Sequence, residues 1–535
     1  MRPTSLLALA VVVSASAVSA SVIRPQTRQL EYAVATTENG VVRGEVVTSL
    51  NGTPYKRFLG IPYATPPTGD LRFKAPLPAA NWTGVRDALT FGPSCSQSGR
   101  GSEDCLHMNV FVPQTDDDSP LPVMFNIYGG GFTAGSSDGR PPDYFVENGV
   151  LLVTFNYRLG PQGFLSLQND DIPGNAGLKD QLLALQWVQR NIAAFGGDPT
   201  KVTIFGESAG GASSSFMFLS PKAEGLFRAA VMESGVASAQ WAVQPSPRDI
   251  AYRLGAALGF QQQGDNATLD DQRLAAFLRA ADPEDLSTTQ IEASPGTIAF
   301  APVVEQPSDS AVITELPEVS LNEGRYNRVP FMLGVTSGEA CLFAYVLRFM
   351  NVSEVSETFV QSVAERLPLP TEEERIEAAK RVEEFYFGAE GFSVNKSQAI
   401  SDVYSDIMFI QPAYAFARSA VNTRSLPVYF YYFDYDGWGS TEYGMIHVME
   451  VAYLFPVANG PDKDPASNDG KVSQQLTTLW TNFGKYGEPT PEGSTMTWDR
   501  FTADTDSYMD MKLEFVSRQH FLEERMAFWR DLLHF

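Results

Sequence analysis

Apolar residues along this chain fall into two kinds of run. Val123-Met-Phe-Asn-Ile-Tyr128, Val150-Leu-Leu-Val-Thr-Phe155, Val202-Thr-Ile-Phe205, Ala229-Ala-Val-Met232, Pro330-Phe-Met-Leu333 and Val428-Tyr-Phe-Tyr-Tyr-Phe433 are short and almost continuously apolar, the pattern of strands buried on both faces. Leu178, Leu182, Leu185 and Val188 instead recur every three or four residues, which predicts a helix from Leu178 to Phe195, stopped by Gly196-Gly197-Asp198-Pro199. Ala212 to Leu219 also reads as helix. Such alternation predicts an α/β fold, with a mostly parallel sheet flanked by helices. The long helical stretches between the later strands predict large helical insertions.

At the start of the chain, Arg2, an apolar run from Leu6 to Val13 and the small residues Val18-Ser19-Ala20 form a signal-peptide pattern, so residues 1–20 are expected to be removed. No other stretch approaches roughly 18 uninterrupted apolar residues, and the C-terminal Met526 to Phe535 carries charges, so no membrane anchor is expected. Secretion to the extracellular space follows. Residues 21–535 contain no Pro/Ser/Gly-rich linker or repeat and are read as one domain. The polar patch Gln114-Thr-Asp-Asp-Asp-Ser119, flanked by strand-like segments, reads as a surface loop.

A formal net charge of −24 argues against nucleic acid as a partner, since phosphate neutralisation needs clustered Lys and Arg. The three cysteines, Cys95, Cys105 and Cys341, exclude a disulfide scaffold and allow one bridge at most. Sequons start at Asn51, Asn81, Asn266, Asn351 and Asn395 and are candidates for surface glycosylation; Pro54 after Thr53 weakens the case for Asn51.

The chemistry concentrates where the Val202 strand ends. Gly206-Glu207-Ser208-Ala209-Gly210-Gly211 stands between that strand and a helix, the setting of a nucleophile elbow, in which the serine is held exposed on a strained turn. The five-residue pattern alone occurs by chance. Its context makes it specific: a second cluster, Gly129-Gly130-Gly131, closes an earlier strand where further oxyanion donors belong. The backbone amides of Gly130, Gly131 and Ala209 are assigned to an oxyanion hole.

With these stretches go Phe58-Leu-Gly-Ile-Pro-Tyr63, Glu103-Asp-Cys-Leu-His-Met-Asn-Val110, Asn156-Tyr-Arg-Leu159 and Gly174-Asn-Ala-Gly-Leu-Lys-Asp-Gln181. Together they resemble the type-B carboxylesterase/lipase family of cholinesterase-like α/β-hydrolases, over nearly the whole mature chain. Ile192 to Pro199 and Leu479 to Phe483 are similar in wording to arthropod secreted carboxylesterases. The resemblance implies an α/β-hydrolase fold whose insertions form a gorge, and a serine hydrolase that cleaves small-molecule carboxylic esters without metal or cofactor.

It also implies the remaining site residues. Of His107, His447, His520 and His534, only His447 follows the last strand in the loop that carries the family's histidine. His520 and His534 are assigned to a charged C-terminal helix. Fold order requires the carboxylate between nucleophile and histidine, and Glu339, just past the Val329 to Leu333 strand, matches it. Gly338-Glu339-Ala340 departs from the family's Asp-Glu-Gly, which leaves Glu305 as runner-up. Glu207 matches the acid that precedes the family's serine, with water ordering and core hydrogen bonding both open. Cys105 lies in the family's half-cystine stretch, which implies a Cys95–Cys105 disulfide and a free Cys341. The loop it closes holds no aromatic residue, so choline esters are expected to be poor substrates, with Trp82 the alternative ring. Two other functions remain open: a non-catalytic adhesion or binding member, and a lipase with a mobile lid.

Overall fold

The computed structural model describes residues 31–535 other than 118, 264–266, 294–297, 343 and 345–351. The signal segment and the sequons at Asn266 and Asn351 therefore lie outside the described residues. Among the described residues thirteen strands form one sheet. In chain order they are β1 (Tyr32–Thr37), β2 (Gly40–Thr48), β3 (Pro54–Pro62), β4 (Val85–Asp87), β5 (His107–Pro113), β6 (Leu121–Ile127), β7 (Leu151–Phe155), β8 (Gly197–Glu207), β9 (Ala229–Glu233), β10 (Phe331–Thr336) and β11 (Val428–Phe433). A separate ribbon of β12 (Ser440–Thr441) and β13 (Gly444–Met445) precedes the last two sheet strands, β14 (Tyr508–Met511) and β15 (Phe515–Arg518).

The spatial order is β1-β2-β3-β5-β7-β6-β8-β9-β10-β11-β14-β15, with β4 beside β2. Every pair from β7 to β14 is parallel, and the pairs at both ends of the sheet are antiparallel apart from β2 with β4, which is parallel. The run-like strands expected from the sequence are these central ones. Consecutive residues on each point to opposite layers, as the pleat requires: Phe205, Val231 and Met332 pack with Trp480 and Leu476 of the helix Asn468–Tyr486, while Ile204, Ala230 and Leu333 pack with Trp187 and Phe216 on the other face. With helices on both faces, this is the α/β-hydrolase arrangement.

Two boundaries differ from expectation. The helix covers Ala176–Asn191 and tightens into a 3₁₀ turn, Ile192–Phe195, that Gly196 caps at φ +84°, and β8 then starts at Gly197, five residues earlier than the apolar run suggests. The polar patch is a loop between β5 and β6, with Gln114–Asp117 exposed. Cys95 and Cys105 are disulfide-bonded and Cys341 is a buried free thiol. Among the described residues no helix is long and apolar enough to cross a membrane.

Candidate active site

The parallel strands β6, β8 and β9 end on one edge, and their registers set the site. Ile127 pairs with Gly206, and Glu207 with Glu233, so the segments leaving β6, β8 and β9 emerge side by side. Beyond β8 the chain turns at Ser208, at φ +57° and ψ −121°, directly into the helix Ala209–Leu219. A positive φ is strained for serine, and only tight surroundings hold it. Those surroundings demand glycine. A Cβ on Gly206 or Gly210 would stand 2.1 or 1.9 Å from the Ile127 carbonyl oxygen, and one on Gly235 would stand 2.1 Å from the Ser208 carbonyl oxygen.

The glycine segment after β6 lies against the same serine. A Cβ on Gly129 would come within 3.0 Å of the Ser208 Cβ. Gly130 and Gly131 follow at φ +115° and +60°, and the Gly130 carbonyl accepts from the Thr133 and Ala134 N–H groups at 3.1 and 3.0 Å. At Gly131 a Cβ would meet Ile298 and Thr133 at ordinary contact distance, 3.8 Å, and Gly130 beside it is exposed. Ala209 opens a helix, where the first-turn N–H groups have no acceptor within the helix.

Glu339 and His447 follow the parallel neighbours β10 and β11 and are tied together by backbone. After β10 the Thr336 N–H donates to Glu339 Oε1 at 2.8 Å, turning the carboxylate back over the strand end. Gly338 bridges to Ile446, the Gly338 N–H donating to the Met445 carbonyl at 2.9 Å and the Met445 N–H to Ser337 Oγ at 2.9 Å. A Cβ on Gly338 would lie 2.8 Å from the Tyr443 carbonyl oxygen. The departure from Asp-Glu-Gly thus places a glycine where the histidine loop closes down. His447 Nδ1 hydrogen-bonds Glu339 Oε2, and His447 Nε2 lies 2.9 Å from Ser208 Oγ. Glu339 is buried, while Ser208 and His447 are half-buried.

Three histidines and one glutamate of the sequence analysis stand elsewhere. His107 is on β5, and burial lowers its pKa. His534 caps the C-terminal helix Glu523–Leu533, whereas His520 precedes that helix rather than belonging to it. Glu305 is buried against Lys179 at 2.5 Å and accepts from Asn175 and Val312, so it ties those segments together, and His447 hydrogen-bonds Glu339 instead.

The profile of the carboxylesterase family matches residues 31–529. The chain belongs to that family. A juvenile hormone esterase of Tribolium castaneum is 32% identical, over 92% of each chain. Neuroligin-2 of Mus musculus is 30% identical, over 94% of this chain and 68% of its own. A solved juvenile hormone esterase from Manduca sexta, with OTFP covalently attached, superposes with a TM-score of 0.83 at 30% identity, covering 94% of this chain and 100% of that one. As a carboxylesterase family member, the chain is a carboxylic ester hydrolase.

Around the site of this carboxylesterase lie Glu207, which its place before Ser208 already marks, and further groups that the sequence does not mark. Glu207 accepts the Gly129 N–H at 2.8 Å and pairs with Arg140, so its charge is matched inside the protein and it braces the glycine segment. Behind the histidine, Glu450 is fully buried and accepts from the Tyr431 and Ser234 hydroxyls at 3.0 and 3.3 Å. Burial first, and the nearby Glu339 second, push its pKa up to about 7. Glu233, which accepts the Trp480 indole N–H at 2.5 Å, is also raised well above the ordinary carboxyl range by burial. Phe409 packs its ring 4.4 Å from that of His447, with Trp241 5.7 Å beyond. Glu450 lies three residues from His447 in the sequence, but nothing local marks Arg140, Glu233 or Phe409 as neighbours of the site.

Trp82 donates its indole N–H to the Val41 carbonyl at 3.0 Å, and the Arg86 guanidinium lies 5.6 Å over its ring. Asn51, Asn81 and Asn395 are exposed, but the Asn51 amide nitrogen donates to Glu147 at 2.8 Å.

Proposed function

We propose that this protein is a secreted serine esterase that works through an acyl-enzyme on Ser208, with His447 as base and acid and Glu339 as its orienting carboxylate. The reading rests on one observation: an unbroken hydrogen-bonded run from Ser208 through His447 to Glu339, lying against Gly129–Gly131. In this mechanism the Ser208 oxygen attacks the ester carbonyl carbon while its proton passes to His447 Nε2. Glu339, accepting the Nδ1–H, fixes the tautomer and stabilises the imidazolium. The tetrahedral oxyanion takes hydrogen bonds from the Gly130, Gly131 and Ala209 N–H groups, each worth about 2.7–4 kcal/mol of barrier.

The carbonyl–alkoxide bond then breaks, and His447 returns the proton to the departing alcohol. Water attacks the acyl-enzyme in the second half, giving a proton to the same nitrogen; the acid leaves, and Ser208 regains its hydrogen. A covalent ligand on a similar juvenile hormone esterase agrees with such a nucleophile. Small neutral esters are the proposed substrates, because Glu207 is already paired and Ser96–Asp104 offers no ring to a cationic head group. The relatives' name makes juvenile hormone a compound to include in a substrate panel.

The test is Ser208→Ala in the purified protein. Ester hydrolysis is expected to fall by at least about 10³-fold with the fold intact, and an organophosphate to label Ser208 stoichiometrically in the wild type. Near-normal turnover in the mutant would sink the reading and favour a binding role. Secretion is checked separately, by sequencing the N-terminus of protein recovered from culture medium; a start near Ser21 is expected.

A further inference from the structure

The helix Ser397–Ser405 does not pass smoothly into the helix Gln411–Thr423. Between them Asp406–Ile410 form a π turn, in which the Gln411 N–H donates to the Asp406 carbonyl five residues back. Pro412 explains its position. In a regular α-helix residue 412 would donate to the Met408 carbonyl; proline has no N–H, and its ring would collide with that carbonyl, so the helix widens. The Met408 carbonyl, left without its helical partner, accepts the Trp241 indole N–H at 2.8 Å instead. In the widened turn Phe409 faces His447, with Trp241 behind it. One residue more or less in the turn rotates a side chain by about 100° about the helix axis. Phe409 on a regular helix would therefore leave the histidine.

The turn is anchored on its other side as well. Asp406 is buried and accepts from Arg525 Nε at 2.8 Å, from Trp529 Nε1 at 3.2 Å, and from the Tyr386 hydroxyl. These partners come from the C-terminal helix and from the helix Glu372–Phe387. Ser405 Oγ accepts the Ala340 N–H at 2.9 Å, one residue beyond Glu339. The segment thus touches both the base and its orienting carboxylate's loop: it ties that loop through Ser405 and packs on the imidazole through Phe409.

We propose that Pro412, Asp406 and Phe409 are positioning residues for His447: the π turn holds the imidazole in its reactive orientation through the Phe409 ring, with Trp241 locked to Met408 as the brace. This rests on the Ser208–His447–Glu339 reading. Substrate binding needs no change in His447, but proton transfer does, so the device acts on kcat rather than KM.

The experiment measures kcat and KM for p-nitrophenyl acetate in the full chain, with active sites counted by organophosphate titration, for Pro412→Ala, Trp241→Phe and the double variant. Each single change is expected to lower kcat about tenfold to a hundredfold with KM nearly constant. The double variant is expected to be no worse than the poorer single, because an N–H restored at position 412 already displaces the indole from Met408. Unchanged kcat in Pro412→Ala, effects confined to KM, or single effects that multiply would each overturn the proposal. Should Pro412→Ala not fold, Phe409→Leu is expected to lose kcat and Phe409→Tyr to keep it; equal rates for the two would overturn it as well. Full titration of Ser208 alongside any of these negative results leaves the triad standing, whereas failure of titration in the wild type removes the triad itself.

Discussion

Ser208 and Glu450 show two ways a single residue is held in an unfavourable state at this site. The serine's positive φ is imposed by backbone contacts around it, and the glutamate's burial is only partly offset by two hydroxyl donors. Glu450 carries a pH signature. Its pKa in the folded protein is about 7 against an ordinary 4.5, so the folded state holds the proton more tightly than the unfolded chain. The stability this gives is fully present below about pH 4.5 and is lost as pH rises through 7, on the order of 3 kcal/mol in all. Glu450→Gln cannot ionise, and its amide oxygen can accept from the same two hydroxyls. Thermal melts from pH 4.5 to 8 are expected to show the variant gaining on wild type through that window and levelling off above it; a pH-independent gap would contradict the raised pKa. Glu339→Gln is expected to differ, since its carboxylate faces His447: kcat should fall by several orders of magnitude in an esterase assay, with a much smaller change in melting temperature.

At the scale of elements, the turn between β8 and its helix depends on glycines that have no room to change. Gly210→Ala drives a methyl against the Ile127 carbonyl, backbone against backbone, and is expected to cost 3 kcal/mol or more by urea unfolding, beyond the usual overpacking range of about 1–3. Gly139→Ala is the control, with nothing within 4 Å and no positive φ, and it is expected to stay within about 0.5 kcal/mol of wild type. Loss of the difference between the two would refute the close-approach argument. These elements also show what the sequence makes legible. Continuous apolar runs mark β6 to β11 because both faces of a parallel centre are buried, and Ser208, Glu339 and His447 follow three of those strands. The antiparallel flank is harder to read: β1, Tyr-Ala-Val-Ala-Thr-Thr, has its valine exposed and its alanines buried, so its pattern is weak. Pro412 reads locally as a helix stop. Its π turn depends on partners more than 100 residues away, Trp241 and Arg525, which no local window can supply.

For the whole molecule the question is whether its charge and architecture favour cationic esters. A net charge of −24 attracts cations at long range, but salt at about 0.15 M screens exposed charges beyond about 8 Å, so affinity for a quaternary ammonium would have to come from contacts in the site. The acid beside the proposed nucleophile, Glu207, is paired with Arg140 and accepts the Gly129 N–H. Trp82 is occupied by Val41 and Arg86, and the loop between Cys95 and Cys105 is pinned by Gln97, which donates to the Gly135 carbonyl and accepts the Gly135 N–H, rather than presenting a ring. A choline head group would lose hydration without the cation–π return of about 2 kcal/mol that a desolvated indole can give. Acetylthiocholine is therefore expected to show a lower kcat/KM than its carbon isostere, 3,3-dimethylbutyl thioacetate, measured side by side at about 0.15 M salt. A preference for choline that appears at low salt and vanishes at high salt would be field attraction and leave this account intact. A tenfold preference that survives high salt would require a ring or an unpaired carboxylate facing the substrate, and would overturn the proposed preference for neutral esters.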